Sequence, residues 1–80
     1  MVIAWTTNEP ATSQVEYGRT AAFGMITPLD KNLVTTHVVI LEGLEPWATY
    51  FFRARSKDDA GNEAISEEQH RETYPYNPHT

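Results

Sequence analysis

The residues able to do chemistry are few and scattered. The candidate bases are His37, His70 and His79, and the candidate nucleophiles include Ser13, Ser56 and Ser66. Asp30 and His37 beside a serine would complete the inventory of a hydrolytic triad. A triad is defined by geometry, however, and no serine here sits in a Gly-x-Ser-x-Gly elbow. The histidines lack a metal-ligand spacing such as His-x-x-x-His. The run Asp58-Asp59-Ala60-Gly61-Asn62-Glu63 is rich in oxygen, but it lacks the alternating acids of a calcium loop. Asp and Asn there suit a tight turn, with Gly61 and Asn62 as the residues of positive φ. Glu67 and Glu68 are adjacent, so on a strand they face opposite sides. There is no glycine-rich phosphate loop. The expectation is a non-enzymatic chain, with no metal and no cofactor assigned.

Bulk properties narrow the classes further. Eighty residues make one domain, and a chain of that size buries only about 60% of its unfolded surface. The formal net charge of -5 argues against a nucleic-acid binder, which needs a basic stripe, and against a polybasic membrane-surface module. No apolar run approaches the roughly 18 residues that span a bilayer, so membrane insertion is not expected. Met1-Val-Ile-Ala-Trp5 lacks a basic leader and does not read as a signal peptide. With no cysteine, neither a disulfide framework nor a thiolate metal site is available.

The elements that would carry these residues read as strands. Val39-Ile-Leu41-Glu-Gly-Leu44-Glu-Pro46 is a strand and a corner, and Thr49 to Lys57 is the next strand. Tyr50, Phe52 and Ala54 alternate there with Phe51, Arg53 and Arg55, the period of a half-buried strand. A Tyr just after such a corner predicts a hydroxyl bonded back to nearby backbone. Upstream, Met1 to Thr7 is a strand with Ile3 and Trp5 on one face and Val2 and Ala4 on the other. Asn8 to Ala11 is a turn, and Ser13 to Tyr17 a second strand. Thr20 to Thr27 is a weak edge segment anchored by Phe23 and Ile26. Residues 28–32 form a loop, and Thr36 to Leu41 a β-branched strand. Asp58 to Glu63 is a hairpin loop. Ala64 to Thr73 is a charged edge strand, with a solvated helix over Glu67 to Glu72 as its competitor. The domain is expected over 1–73, with 74–80 as linker or tail. His37 is expected as a cap or a sheet-surface residue.

These residues resemble a fibronectin type III domain. Ile3-Ala-Trp5-Thr-Thr7, Gln14-Val-Glu-Tyr17-Gly18, Leu41-Glu-Gly-Leu44-Glu-Pro46 with Thr49-Tyr50, and Asp58 to Glu63 fall in the order of that family's strands B and C, its E–F corner and its F–G loop. The likeness is to the subtype of secreted and surface proteins of bacteria and archaea, and to the module that precedes some metallophosphatase domains. It implies an all-β, immunoglobulin-like antiparallel β-sandwich with about six of the family's seven strands encoded. The family's strand A would precede Met1 and is absent, and Trp47 stands where the family often has Gly. No Arg-Gly-Asp occurs, so no integrin loop carries over.

Function then follows by resemblance. The expectation is a structural or interaction module, a spacer or docking domain of a larger extracellular or cell-surface protein. The alternatives are a glycan- or protein-binding module using Trp47, Phe51 and the 58–63 loop, and an accessory domain packed against a hydrolase or metallophosphatase domain. The core is expected from Ile3, Trp5, Val15, Tyr17, Val39, Leu41, Leu44, Tyr50, Phe52 and Ala54. The predicted interface is the apolar face Val2, Ala4, Val38 and Ile40, with Trp47 and Phe51 as further contacts. Its occupant would be a neighbouring domain, another chain, or a second copy through the open edge of strand B.

Overall fold

The computed structural model describes residues 1–73, and the predicted tail at 74–80 lies outside them. Among the described residues, six antiparallel strands form one connected, curled sheet: β1 (Val2–Gly18), β2 (Met25–Ile26), β3 (Asp30–Ile40), β4 (Thr49–Lys57), β5 (Glu63–Ile65) and β6 (Gln69–Glu72). No helix occurs among the described residues, so Glu67 to Glu72 is not one.

The curl is made by β1. Its first half pairs with β3, from Val2↔Ile40 to Thr6↔Thr36, and its second half pairs with β4, from Gln14↔Arg55 to Gly18↔Phe51. Sequence reading predicted two strands with a turn at 8–11. The chain instead stays extended through Asn8-Glu9-Pro10, with register shifts on either side of Ala11. Pro10 cannot donate to a ladder, and an irregularity accommodates that while bending the strand. Ala11 is the pivot: it is buried, registers with Val34 of β3 and bridges to Asp58 at the end of β4.

Folding β1 over on itself brings its two halves into contact. Ile3, Val15, Leu41 and Phe52 form the central cluster, and Trp5, Tyr17, Val39 and Leu44 pack around it. Tyr50 and Ala54 are buried as well, so the alternation on β4 gave the inward face correctly. The corner before β4 is tied to its surroundings. The Glu45 N–H donates to the Tyr50 hydroxyl oxygen at 3.0 Å, and the Trp47 N–H and Ala48 carbonyl bond the Thr73 backbone at 3.0 and 2.8 Å. Those bonds hold Trp47 at φ 55°, a left-handed conformation in which a side chain is strained.

Three boundaries differ from expectation. β3 begins at Asp30, inside the predicted loop, because β1 runs on to pair with it at Ser13. Only Met25 and Ile26 of the 20–27 segment are strand; both are exposed, and Phe23 sits at φ 60°. Gly18 explains that turn: a Cβ there would collide with the Phe23 carbonyl. The last strand is two, β5 and β6, both paired with β4 and separated at residues 66–68, which carry Glu67 and Glu68. Ser66 bridges the break by exchanging bonds with the Ala54 backbone.

Candidate functional site

The catalytic inventory resolves into a structural cluster. His37 is fully buried, not a cap or a surface residue. Its ring stacks on Trp5 with centroids 4.9 Å apart and planes within 5°. The face of β3 that bears His37 turns toward Trp5 because Trp5↔His37 are registered partners. Both ring nitrogens are engaged, Nδ1 with Ser13 Oγ at 2.6 Å and Nε2 with Thr7 Oγ1 at 2.9 Å. The Thr7 hydroxyl donates to the Glu9 carbonyl, so it accepts from Nε2–H, and Nδ1 accepts from the Ser13 hydroxyl. The ring is therefore neutral, and burial pushes its pKa down. Trp5 Nε1 donates to Ser56 Oγ at 2.8 Å.

A serine hydroxyl on an imidazole nitrogen is half of a nucleophile–base pair. Here Ser13 and His37 are only 3% and 0% exposed, and the second nitrogen faces Thr7 where a triad needs a carboxylate. Asp30 registers across from Ser13 but accepts from the Asn32 N–H at the start of β3. The arrangement orders the core. Periodicity marked Trp5 and missed His37, Ser13 and Ser56; their inward parity on strands was the available signal.

The loops are spent on their own geometry. Both carboxylate oxygens of Asp58 accept from Asn62, from its N–H at 2.8 Å and its side-chain amide at 3.1 Å. Those bonds hold the Asp58 pKa below its usual value. Gly61 takes the positive φ (90°), but Asn62 does not, because its side chain folds back onto Asp58. Among the described residues, no group of three or more His, Asp or Glu is placed to hold a metal ion.

The predicted interface residues divide into separate places. Val2↔Ile40 and Ala4↔Val38 are registered pairs on the outer face of the β1–β3 ribbon. Val2, Val38 and Ile40 are 54%, 57% and 60% exposed, and Ala4 is exposed between them. Phe51 lies on β4 with the outward-facing residues of the other half of the curl, half-buried and tilted against His70 at 5.7 Å. Arg53, of the same parity on β4, reaches over the Phe23 ring and bonds Glu16. Trp47 is 72% exposed at the corner, and Pro46 beside it is exposed too. The 58–63 loop lies beyond the far end of β4, so Trp47, Phe51 and that loop do not make one surface.

Comparison of the chain with models of known protein families, with curated proteins and with solved structures found no match.

Proposed function

We propose that this chain is a non-catalytic interaction module of a larger extracellular or cell-surface protein, an immunoglobulin-like sandwich of fibronectin type III topology that docks through one apolar face. One observation carries the reading: Val2, Ala4, Val38 and Ile40 meet on adjacent strands and are exposed together. Directly opposed β-branched side chains on a sheet face are good packing material, and leaving them in water forgoes that gain. A neighbouring domain, including a hydrolase in the accessory reading, is the natural cover. The fold assignment rests on the order of the motifs, on β1 joining both halves of the curl, and on the Tyr50 bond at the corner.

The test is self-association, since an apolar face stripped of its cover pairs with itself. Light scattering over a dilution series is expected to show concentration-dependent association in the native chain. The double substitution Val38→Lys with Ile40→Lys is expected to abolish it without changing the melting temperature. A native chain that stays monomeric throughout, or lysines that unfold it, would remove the basis of the reading.

A second reading is favoured by Trp47, which is 72% exposed on a backbone that its corner bonds hold in place. It would stack on a sugar ring or anchor a protein contact. Fluorescence quenching on titration with polysaccharides, lost in Trp47→Ala, would support it; unchanged emission would end it.

A further inference from the structure

We propose that the groove between the free edge of β1 and strands β5 and β6 accepts an extended segment of another polypeptide as an added strand, in antiparallel sense and with its charges in a set order. This deepens the interaction-module reading and rests on it, but it uses a different surface from the outer face.

The backbone supplies the first argument. Met1 and Leu41 exchange both N–H···O bonds, at 2.9 and 2.7 Å. In an antiparallel ladder, hydrogen-bonded and non-hydrogen-bonded pairs alternate. The N–H and C=O groups of Val2, Ala4 and Thr6 therefore point away from β3, and among the described residues no strand pairs with them. One of these groups already has a side-chain donor: Arg71 Nη1 reaches from β6 to the Val2 carbonyl at 3.1 Å, where an incoming strand's N–H would sit. The segment lacks the devices that protect an edge, since residues 2–7 include no Lys, no Pro and no charge.

The shape of the groove supplies the second. Three hollows follow one another along the edge in steps of two residues. The first, about 70 Å³, lies by Ile3 to Trp5 over Phe52. The second, about 210 Å³, lies by Trp5 to Thr7 against Ile65. The third, about 290 Å³, lies by Thr7 to Glu9 against Asp58. A period of two matches the side chains that an extended strand sends to one face. From Val2 to Glu9 is about 23 Å, the reach of about eight extended residues.

Charge fixes the occupant and its direction. The first hollow is closed by Arg71, whose guanidinium lies 5.5 Å from the Phe52 ring centroid. The third is walled by Glu9, Asp58 and Glu63; Glu63 is paired with Arg55, while neither Glu9 nor Asp58 is in an ion pair with a described residue. A complementary segment carries a basic residue at the Glu9 end and an acidic residue at the Arg71 end. Every strand pair in this sheet is antiparallel, so the occupant runs against β1 and its basic residue comes first.

The probe is a peptide of about eight residues, blocked at both ends, with alternating Val and Thr between an initial Lys and a terminal Asp. It is titrated into the chain carrying Val38→Lys and Ile40→Lys, so that pairing through the outer face does not intrude. Amide resonances of Ile3 to Thr7 and Ala64 to Ser66 are expected to shift, and the Ala4 and Thr6 amides to gain protection from exchange. The peptide with Asp first and Lys last is expected to bind about tenfold more weakly. Arg71→Glu is expected to weaken the Lys-first peptide selectively, while binding of the uncharged Val–Thr peptide is retained. No shift at any peptide concentration, equal binding of both orders, or β1-to-β1 pairing of two copies without peptide would overturn the proposal. The first of these results leaves the outer-face reading standing, because that reading is judged by self-association of the native chain.

Discussion

Acidification through the range of histidine titration should destabilise this fold before any carboxylate is protonated. His37 is buried and neutral, with Nε2–H given to Thr7 and Nδ1 accepting from Ser13, so its folded-state pKa lies below the usual 6.5. The unfolded chain takes up the proton first. Stability from this group is therefore complete above pH 6.5 and falls as pH drops toward the folded-state pKa. The ceiling is one proton, about 1.4 kcal/mol per pH unit, and at about pH 5.5 the loss reaches at most about 1.4 kcal/mol. For a domain of this size that is a fall in melting temperature of up to about 10 °C. Glu16, held low chiefly by its hydrogen bond from Arg53, has the opposite chemistry and a separate window, its stabilisation being lost only as pH falls below its usual 4.5. Urea unfolding between about pH 7.5 and 5.5 reads the slope. His37→Gln, which cannot titrate, should flatten it. Should that variant fail to fold, the pH dependence of the His37 ring proton shifts in the native chain gives the same quantity. A His37 pKa at or above 6.5, or a slope that survives in His37→Gln, would refute the reasoning.

Two other perturbations test the corner and the turn. Tyr50→Phe removes the acceptor of the Glu45 N–H and should cost about 1 kcal/mol in urea unfolding, with the melting transition still cooperative. Gly18→Ala places a methyl group against the Phe23 backbone and should cost about 1–3 kcal/mol, whereas Gly43→Ala meets open space and pays only for its φ of 70°. Equal effects at the two glycines would show that the Gly18 contact does not constrain the turn.

Much of this fold is decided locally. Alternation over Thr49 to Lys57 set the inward face of β4, because side chains on a strand change sides with every residue and only one side meets the core. The same parity placed Ile3 inward and Val2 and Ala4 outward, and Gly61 with Asp58 marked the hairpin. The candidate interface was legible for the same reason: apolar residues of one parity on two strands that pair must share a face.

What tertiary structure alone decided depends on partners distant in sequence. Pro10 reads locally as a break, yet Ala11 is clamped between Val34 and Asp58, and that clamp carries β1 through as one bent strand. His37 reads as polar and hence exposed. It is buried because Trp5, Ser13 and Thr7, 24 to 32 positions earlier in the chain, supply a stacking partner and both hydrogen bonds. The hollows beside the free edge of β1 belong to no segment of sequence. They arise where the curl leaves β1 unpaired opposite β5 and β6, a consequence of closure that periodicity, a property of single strands, does not contain.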